Sequence, residues 1–245
     1  MSNDDEIKFE YSPSEFRTLL ETAQNDFFMN FMRIHLHRFI RWYLKTFNQF
    51  KIINHENLSK VEGSFVLISN HSSHLDVITL FSCLPLDKIN NCFSVAARDY
   101  FFANDVIAYL TRLFFNTVPF SRNFSAHSGL KACGIMLDQG KSLIIFPEGT
   151  RSLTGQMASF KPGIGILMAE RKHPVIPIYL KGNYEAYPKG AAGLPKRLPL
   201  TAIIGEPMVF EQYASTSDNW YHIAKEVENR VVELKNQLEQ MTTKG

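Results

Sequence analysis

The sequence predicts an α/β fold with a mostly parallel central sheet flanked by helices, preceded by an N-terminal helical element. Two observations support this prediction. From residue 60 onward, short apolar runs alternate with segments of helical periodicity, which is typical of parallel strands joined by crossover helices. Before that point, residues 13–50 read as helical and contain no internal glycine or proline. We therefore expect an N-terminal helical segment over 1–55 and one α/β domain over 56–245.

The predicted elements follow in chain order. Six apolar runs are expected to be strands: 64–70, 92–97, 115–120, 142–147, 174–180 and 201–207. Helices are expected between them, near 74–84, 104–114, 126–139 and 163–171. The C-terminal segment predicts an amphipathic helix whose inner stripe is formed by Ile223, Val227, Val231, Leu234 and Leu238. Residues 184–199 are basic and rich in proline and glycine, which predicts a loop.

The N-terminal helix is predicted to have an aromatic face and a basic polar face. Such a helix suits a membrane interface, because rings enter the acyl boundary while cations meet anionic headgroups. The residues expected to contact the membrane are Phe28, Met32, Arg33, Phe39, Arg41, Tyr43 and Lys45. The alternative is a helix that packs its apolar face on the main domain and leaves the basic face in solvent. No uninterrupted apolar run is long enough to predict a membrane-spanning helix.

Composition excludes several function classes. The net charge is +2, and no helix-turn-helix, zinc finger or basic arm is evident, so we expect no nucleic-acid partner. The three cysteines form no Cys-x-x-Cys pair, which predicts free thiols in a reducing compartment, at least two of them packed in the core. The acidic N-terminus lacks the features of a signal peptide, so we expect no export.

The first candidate site is the polar stretch Asn-His-Ser-Ser-His-Leu-Asp at residues 70–76, which follows the strand predicted at 64–70. The carboxyl end of a parallel strand is where α/β proteins usually place a site. A turn there could bring Asp76 to His71, so that the carboxylate orients the imidazole for proton abstraction from a hydroxyl. The alternative is an ordinary strand-to-helix turn with a polar cap. Because His74 has no further matched ligand, we expect no metal.

The second candidate site is Phe-Pro-Glu-Gly-Thr-Arg-Ser at residues 146–152, again after a predicted strand. Arg151 offers a forked donor for a phosphate, which Thr150 and the backbone amides near Gly149 can supplement. Glu148 is expected either to bind a substrate hydroxyl or to anchor Arg151; the alternative is a turn pinned by a local ion pair. Two further basic residues, Arg122 and Lys161, are added to the expected phosphate-binding group.

These motifs together resemble the glycerolipid acyltransferase family, whose best-known members acylate lysophosphatidate. The resemblance rests on the Asn-His-x-x-x-x-Asp at 70–76, the Val-Pro-Phe-Ser-Arg at 118–122, the complete Phe-Pro-Glu-Gly-Thr-Arg-Ser at 146–152 and the Pro-Val-Ile-Pro-Ile at 174–178. It covers residues 60–210. The chain departs from the family pattern at Asn116, where a glycine usually opens the second motif.

The resemblance implies an O-acyltransferase that uses an acyl thioester as donor and a lyso-lipid as acceptor. His71 would be the general base and Asp76 its orienting partner, while Arg122, Glu148, Gly149 and Arg151 would hold the phosphorylated acceptor. The expected donor is acyl-CoA or acyl carrier protein, with no bound cofactor. The expected location is the cytoplasmic face of a membrane, as a peripheral or monotopic protein. A thioesterase using the same His/Asp pair and a catalytically silent lipid-binding module remain as alternatives.

Overall fold

The computed structural model describes residues 27–97, 113–116, 118–120 and 126–243, and these form a seven-stranded sheet with helices on both faces. The strands are β1 (Lys51–Ile53), β2 (Val66–Ser69), β3 (Cys92–Ala97), β4 (Val118–Phe120), β5 (Ser142–Ile145), β6 (Val175–Lys181) and β7 (Thr201–Ile204). Their order across the sheet is β1-β7-β6-β2-β5-β3-β4. All neighbouring pairs are parallel except β6 with β7. The mostly parallel sheet is as predicted.

The described helices also follow the predicted order. They are α1 (Phe27–Phe47), α2 (Leu75–Cys83), α3 (Ala126–Asp138), α4 (Gly163–Arg171), α5 (Asn183–Ala186) and α6 (Ser217–Thr243), with short 3-10 helices at His55–Lys60 and Leu86–Asn91. Most of the helix predicted at 104–114 lies outside the described residues, as do residues 13–26 of the N-terminal prediction. None of the described helices combines the length and hydropathy needed to cross a membrane.

The core lies on both faces of the sheet, which explains why the central strands read as continuous apolar runs. In β2, Leu67 packs in the cluster that contains Phe81 of α2, whereas Val66 and Ile68 pack in the cluster that contains Met136 of α3. All three strand residues are fully buried. The side-chain alternation of a strand therefore supplies apolar residues to both layers.

The C-terminal helix α6 buries the predicted stripe. Ile223, Val227, Val231, Leu234 and Leu238 are all buried. The helix approaches α4 so closely that a Cβ added at Gly165 of α4 would lie 1.8 Å from the Trp220 carbonyl oxygen. Only glycine fits at that contact.

All three cysteines are buried and unpaired, so the prediction of free core thiols is confirmed. Burial raises the pKa of both Cys83 and Cys133 to about 12. Their thiols are therefore poorly reactive at neutral pH.

Strand β1 was not predicted, because three residues at a sheet edge carry almost no periodic signal. It pairs in parallel with β7, and the backbone N–H of Lys51 donates to the Leu200 oxygen at 3.0 Å. Gln49, with φ of 45°, makes the turn between α1 and this strand. The sheet thus begins before the boundary predicted between residues 55 and 56.

Part of the polar face predicted for the N-terminal helix packs on the protein. Arg33 and His37 are almost fully buried, at 2% and 0% exposure, while Phe39 is 58% exposed. Arg33 Nε donates to the Leu113 oxygen at 2.9 Å, and Arg41 Nη2 donates to the Leu84 oxygen at 2.5 Å. The polar face faces the protein because it satisfies backbone carbonyls there. Arg33 and Arg41 are therefore not placed to meet lipid headgroups, contrary to the expectation.

The aromatic face of α1 is turned to solvent, as the interfacial interpretation expects, so the alternative of an apolar face packed on the domain is wrong. Its exposed apolar side chains are Phe27, Phe28, Phe31, Met32, Phe39 and Trp42. Of the other residues expected at a membrane, Lys45 is exposed and Tyr43 is half-buried against the core. We call these six exposed side chains the aromatic face of α1.

Candidate active site

Three segments meet at one edge of the sheet because they follow three neighbouring parallel strands. Residues 70–76 follow β2, residues 146–152 follow β5, and Asn183 follows β6. Asn70 makes the first bend out of the sheet: its side-chain Oδ1 accepts from the Leu180 N–H at 2.8 Å, and its Nδ2 donates to the Leu180 oxygen at 3.0 Å. These side-chain bonds take the place of the next backbone hydrogen bonds between β2 and β6. The chain therefore leaves the sheet at Asn70 and continues to His71.

His71 and Asp76 form the expected pair. His71 Nδ1 lies 2.9 Å from Asp76 Oδ2, and the aspartate side chain is completely buried. The same oxygen accepts the backbone N–H groups of Ser72 at 2.7 Å and Ser73 at 2.8 Å. Asp76 Oδ1 accepts from Asn183 Nδ2 at 2.9 Å. The carboxylate therefore has one fixed orientation and a full set of partners, as a buried charge requires.

The imidazole of His71 is held on its face as well as at its edge. Its ring stacks on Phe146, with centroids 3.9 Å apart and planes at 14°. Since Nδ1 points to Asp76, Nε2 is the atom available to a substrate, and the side chain is 18% exposed. This arrangement allows one ring nitrogen to exchange a proton while the carboxylate stabilises the imidazolium.

Glu148 has a role different from both of those expected. Its Oε1 accepts the backbone N–H of His71 at 2.7 Å, and its Oε2 accepts the N–H of Ala158 at 2.8 Å. The side chain is 3% exposed, and burial raises its pKa although these two hydrogen bonds oppose the rise. The backbone oxygen of His71 also accepts from the Ser152 N–H at 2.8 Å. Glu148 thus ties the histidine turn to the loop after β5 instead of reaching for a substrate or for Arg151.

Two cationic residues, Arg151 and Lys161, lie on the loop after β5 that is bonded to the His71 backbone. Gly149 has φ of 74°, and a Cβ added there would lie 2.6 Å from Lys161 Nζ, so the glycine admits the lysine beside the turn. Thr150 is exposed and Arg151 is half-buried. Burial and, to a lesser extent, the charge of Arg151 lower the pKa of His74 to about 4. The third expected cation, Arg122, lies outside the described residues.

His74 does not extend a metal site. Among the described residues, no group of three or more His, Cys, Asp or Glu side chains is arranged to hold a metal ion. The His74 ring instead lies 6.1 Å from the ring of Tyr187, centroid to centroid. Its lowered pKa keeps it neutral around pH 7, so it adds no positive charge beside His71.

The sequence analysis missed Asn183 as a member of the site. The side chain is fully buried, and its Nδ2 bonds Thr79 Oγ1 at 3.0 Å as well as Asp76. It follows Gly182, whose φ of 92° starts α5. A signal was available: Lys-Gly-Asn directly follows the strand predicted at 174–180, at the sheet edge that carries the other two motifs.

Comparison with known sequences identifies relatives of one kind. A chloroplastic 1-acyl-sn-glycerol-3-phosphate acyltransferase of Brassica napus is 31% identical over 183 residues, covering 74% of this chain and 49% of the relative. One from Arabidopsis thaliana is 32% identical over 155 residues, covering 62% of this chain and 42% of the relative. The chain thus spans less than half the length of these plant relatives. The enzyme of that name from Bacillus subtilis is 28% identical over 194 residues, with 78% and 90% covered.

A solved structure has the same fold. The crystal structure of the 1-acyl-sn-glycerophosphate acyltransferase from Thermotoga maritima superposes with a TM-score of 0.59 at 21% identity, covering 90% of this chain and 94% of that one. The family model described as acyltransferase matches residues 49–181, which extends from the turn before β1 to the end of β6 and includes both candidate motifs. Because this match covers more than half of its residues, the chain belongs to the acyltransferase family.

Proposed function

We propose that the chain is an O-acyltransferase of phospholipid biosynthesis, which moves a fatty acyl group from a thioester to the hydroxyl of a lysophosphatidate-like glycerolipid. The observation that carries this proposal is the His71–Asp76 pair, 2.9 Å apart at the sheet edge where the cationic motif also lies. The names of the relatives support the same reaction and the same acceptor.

The proposed chemistry needs no covalent acyl-enzyme. His71 Nε2 takes the proton of the acceptor hydroxyl as the oxygen attacks the thioester carbonyl. Asp76 stabilises the imidazolium through Nδ1. When the tetrahedral intermediate collapses, the C–S bond breaks and the proton passes from Nε2 to the departing thiolate. One ester and one thiol are formed, and the histidine returns to its neutral state.

The acceptor phosphate is proposed to bind beside the histidine, on Arg151, Lys161, Thr150 and the backbone at Gly149, with Arg122 as a further cation. A guanidinium fork and an ammonium group at this position fit a phosphate monoester better than a neutral headgroup. Lys161 Nζ lies next to Gly149, on the loop whose Ser152 N–H bonds the His71 oxygen. Glu148 contributes by fixing this turn rather than by touching the acceptor.

The protein is proposed to work as a peripheral or monotopic protein on the cytoplasmic face of a membrane. The aromatic face of α1 supports this proposal, because so many exposed rings on one helix favour partition into an interface. The buried free thiols suit a reducing compartment. The donor is proposed to be acyl-CoA or acyl carrier protein, with no resident cofactor.

The test is a transfer assay with purified protein. Radiolabelled acyl-CoA and acyl carrier protein are each offered with lysophosphatidate or with lysophosphatidylcholine. We expect ester formation that depends on the phosphate monoester acceptor. Thioester loss without ester product, at a rate independent of acceptor, would identify a thioesterase. Lipid binding without either product would identify a silent lipid-binding module.

A further inference from the structure

The loop at residues 189–198, which we call the basic loop, presents an apolar tip between cations. Leu194 is 92% exposed, and none of the other large apolar side chains in the described part of the chain is more exposed. Lys189, Lys196 and Arg197 are exposed on the same loop. An isolated exposed leucine is ordinary, but its position within a cluster of three cations is the pattern of an interfacial membrane contact.

The exposure of Leu194 is imposed by backbone bonds rather than by a loose end. The Lys196 N–H donates to the Ala186 oxygen at 2.9 Å, which closes the base of the loop. The Tyr187 hydroxyl donates to the Gly193 oxygen at 3.2 Å, directly beside the tip. The loop is therefore held with its leucine outward.

One end of the basic loop is attached to the end of α1. Asn48 Nδ2 donates to the oxygens of Lys196 at 3.2 Å and Leu198 at 3.0 Å. The Arg197 guanidinium lies over the Phe47 ring, 4.7 Å from its centroid. Phe47 in turn contacts Trp42 edge to face, with centroids 6.0 Å apart. Through these contacts the loop continues the surface formed by the aromatic face of α1.

The other end of the basic loop is attached to the histidine turn. Ser73 Oγ donates to the Tyr187 oxygen at 2.6 Å and accepts from the Leu75 N–H at 3.0 Å, at the start of α2. Ser73 and Pro188 also form an antiparallel bridge. Because Ser73 donates its backbone N–H to Asp76, the loop is one residue removed from the catalytic pair.

We propose that the basic loop is a second lipid-contacting element, which inserts Leu194 into the interface of an anionic bilayer while Lys189, Lys196 and Arg197 bind lipid phosphates. This inference rests on the proposed function, since it concerns how that site meets its lipid substrate. Charge complementarity with anionic headgroups and continuity with the aromatic face of α1 favour a bilayer as the occupant. An acidic carrier protein would account for the three cations but not for the exposed leucine and rings.

The consequence is a fixed distance between the bilayer and His71. The basic loop and α1 rest on the membrane at two points, and the loop is bonded to the turn through Ser73. A lyso-lipid acceptor can then present its hydroxyl to the histidine while its acyl chain stays in the bilayer.

The direct test is a fluorescent reporter at the tip. In Leu194→Cys the new thiol reacts selectively with an environment-sensitive dye, because the native thiols are buried with raised pKa values. Val209→Cys is the matched control: Val209 is 53% exposed, beside Met208, which pairs with the first residue of β6 at the opposite edge of the sheet. With phosphatidylglycerol vesicles we expect a blue shift and quenching by brominated lipid at position 194 only. Equal responses at both positions, or none at position 194, would overturn the proposal.

A second test separates this inference from the proposed function. The variant Leu194→Ser with Lys189→Glu and Lys196→Glu should bind phosphatidylglycerol vesicles at least tenfold more weakly than wild type, with an unchanged melting temperature. Its turnover on detergent-dispersed acceptor should remain normal, because no substituted residue touches His71 or Asp76. Unchanged vesicle binding rejects the lipid contact, and a selective loss of turnover with acyl carrier protein assigns the loop to a protein partner instead. Absence of acyl transfer by wild type would reject the proposed function and leave the vesicle result interpretable.

Discussion

The histidine turn at residues 70–76 and the helix α1 both bury polar side chains, but they do so with different partners. In the turn, Asp76 is fully buried among side-chain and backbone donors that converge on one carboxylate. In α1, Arg33 and His37 are equally buried, yet they bond the carbonyl oxygens of Leu113 and Phe114. The first arrangement orients an imidazole for chemistry, whereas the second attaches a helix to the domain.

The difference shows that polarity alone does not indicate which face of a helix meets water. Three polar side chains of α1, those of Arg33, His37 and Arg41, are directed inward, where they donate to backbone oxygens. The rings are directed outward, where only an apolar phase or a partner can cover them. Burial in the turn fixes the orientation of the Asp76 carboxylate. Burial of Arg33 and His37 attaches α1 to the domain and leaves its aromatic face exposed. Substitutions in the two regions should therefore affect different measured quantities.

The largest expected effect is the loss of chemistry in His71→Ala. Removing the base should lower kcat by at least about a thousandfold, as general bases and oriented dyads contribute rate factors of this order. Vesicle binding should stay near wild type, because His71 is not part of the aromatic face of α1. Single-turnover kinetics beside vesicle co-sedimentation measures both. Turnover within tenfold of wild type would remove His71 from the mechanism.

The next largest effect is expected in α1, on stability rather than on rate. In Arg33→Met the oxygens of Leu113, Asn30 and Asn90 lose a donor, which should cost about 2–3 kcal/mol in the free energy of unfolding. Denaturant unfolding measures the loss. Arg38→Met is the matched control, because Arg38 is exposed on the same helix. Equal stability of the two variants would show that the buried arginine does not hold α1 in place.

A pH effect of similar size is expected from His37. Burial lowers its pKa to about 4, with the charges of Arg33 and Arg41 acting in the same direction and the bond to Phe114 opposing them. Because the folded pKa lies below the ordinary histidine value of 6.5, the unfolded chain binds more protons between these values. Stability is therefore complete above 6.5 and is lost as the pH falls toward 4, by up to about 3 kcal/mol.

The variant His37→Gln isolates that contribution. Glutamine keeps a donor for the Phe114 oxygen but does not titrate. As the solution is acidified, the unfolding free energy of wild type should fall relative to that of His37→Gln. The raised pKa of Glu148 acts in the opposite direction but is common to both proteins, so it cancels. A difference that is independent of pH would show that His37 is not buried neutral.

At the start of α5, Asn183→Ala should reduce kcat by about tenfold to a hundredfold while changing KM little. Asn183 acts as a positioning residue through Asp76 Oδ1, without touching the substrate. Losing this donor should leave the Asp76 carboxylate free to turn away from His71 Nδ1, which lowers the rate of each folded molecule. Asn183→Ser should restore part of the rate. A fall in rate that is explained by loss of folded protein would contradict the positioning role.

The smallest expected effect tests the outer side of α1. Phe39→Ser with Trp42→Ser should weaken vesicle binding by about tenfold, because two exposed rings no longer enter the interface. The melting temperature should be unchanged, in contrast to Arg33→Met. A large fall in melting temperature with normal vesicle binding would mean that these rings cover the protein itself.

Local patterns in the sequence determined much of this protein. Alternating apolar runs predicted the parallel sheet, and the spacing of His71 and Asp76 after a strand predicted their contact, because a turn that enters a helix can bring side chains five residues apart together. The inner stripe of α6 followed from its period of 3.6 residues, since burial of that stripe is the main stabilising term available to it.

The tertiary structure alone decided which face of α1 is buried, what Glu148 bonds and that Asn183 completes the site. Each of these depends on groups distant in the chain. The groups are the carbonyl oxygens of Leu113 and Phe114, the amide of Ala158 and the carboxylate of Asp76. A sequence pattern reports which side chains are polar, but not which unpaired donors and acceptors the fold will place opposite them. Because a buried polar group is stable only beside such a partner, its location is settled when the strands and helices assemble.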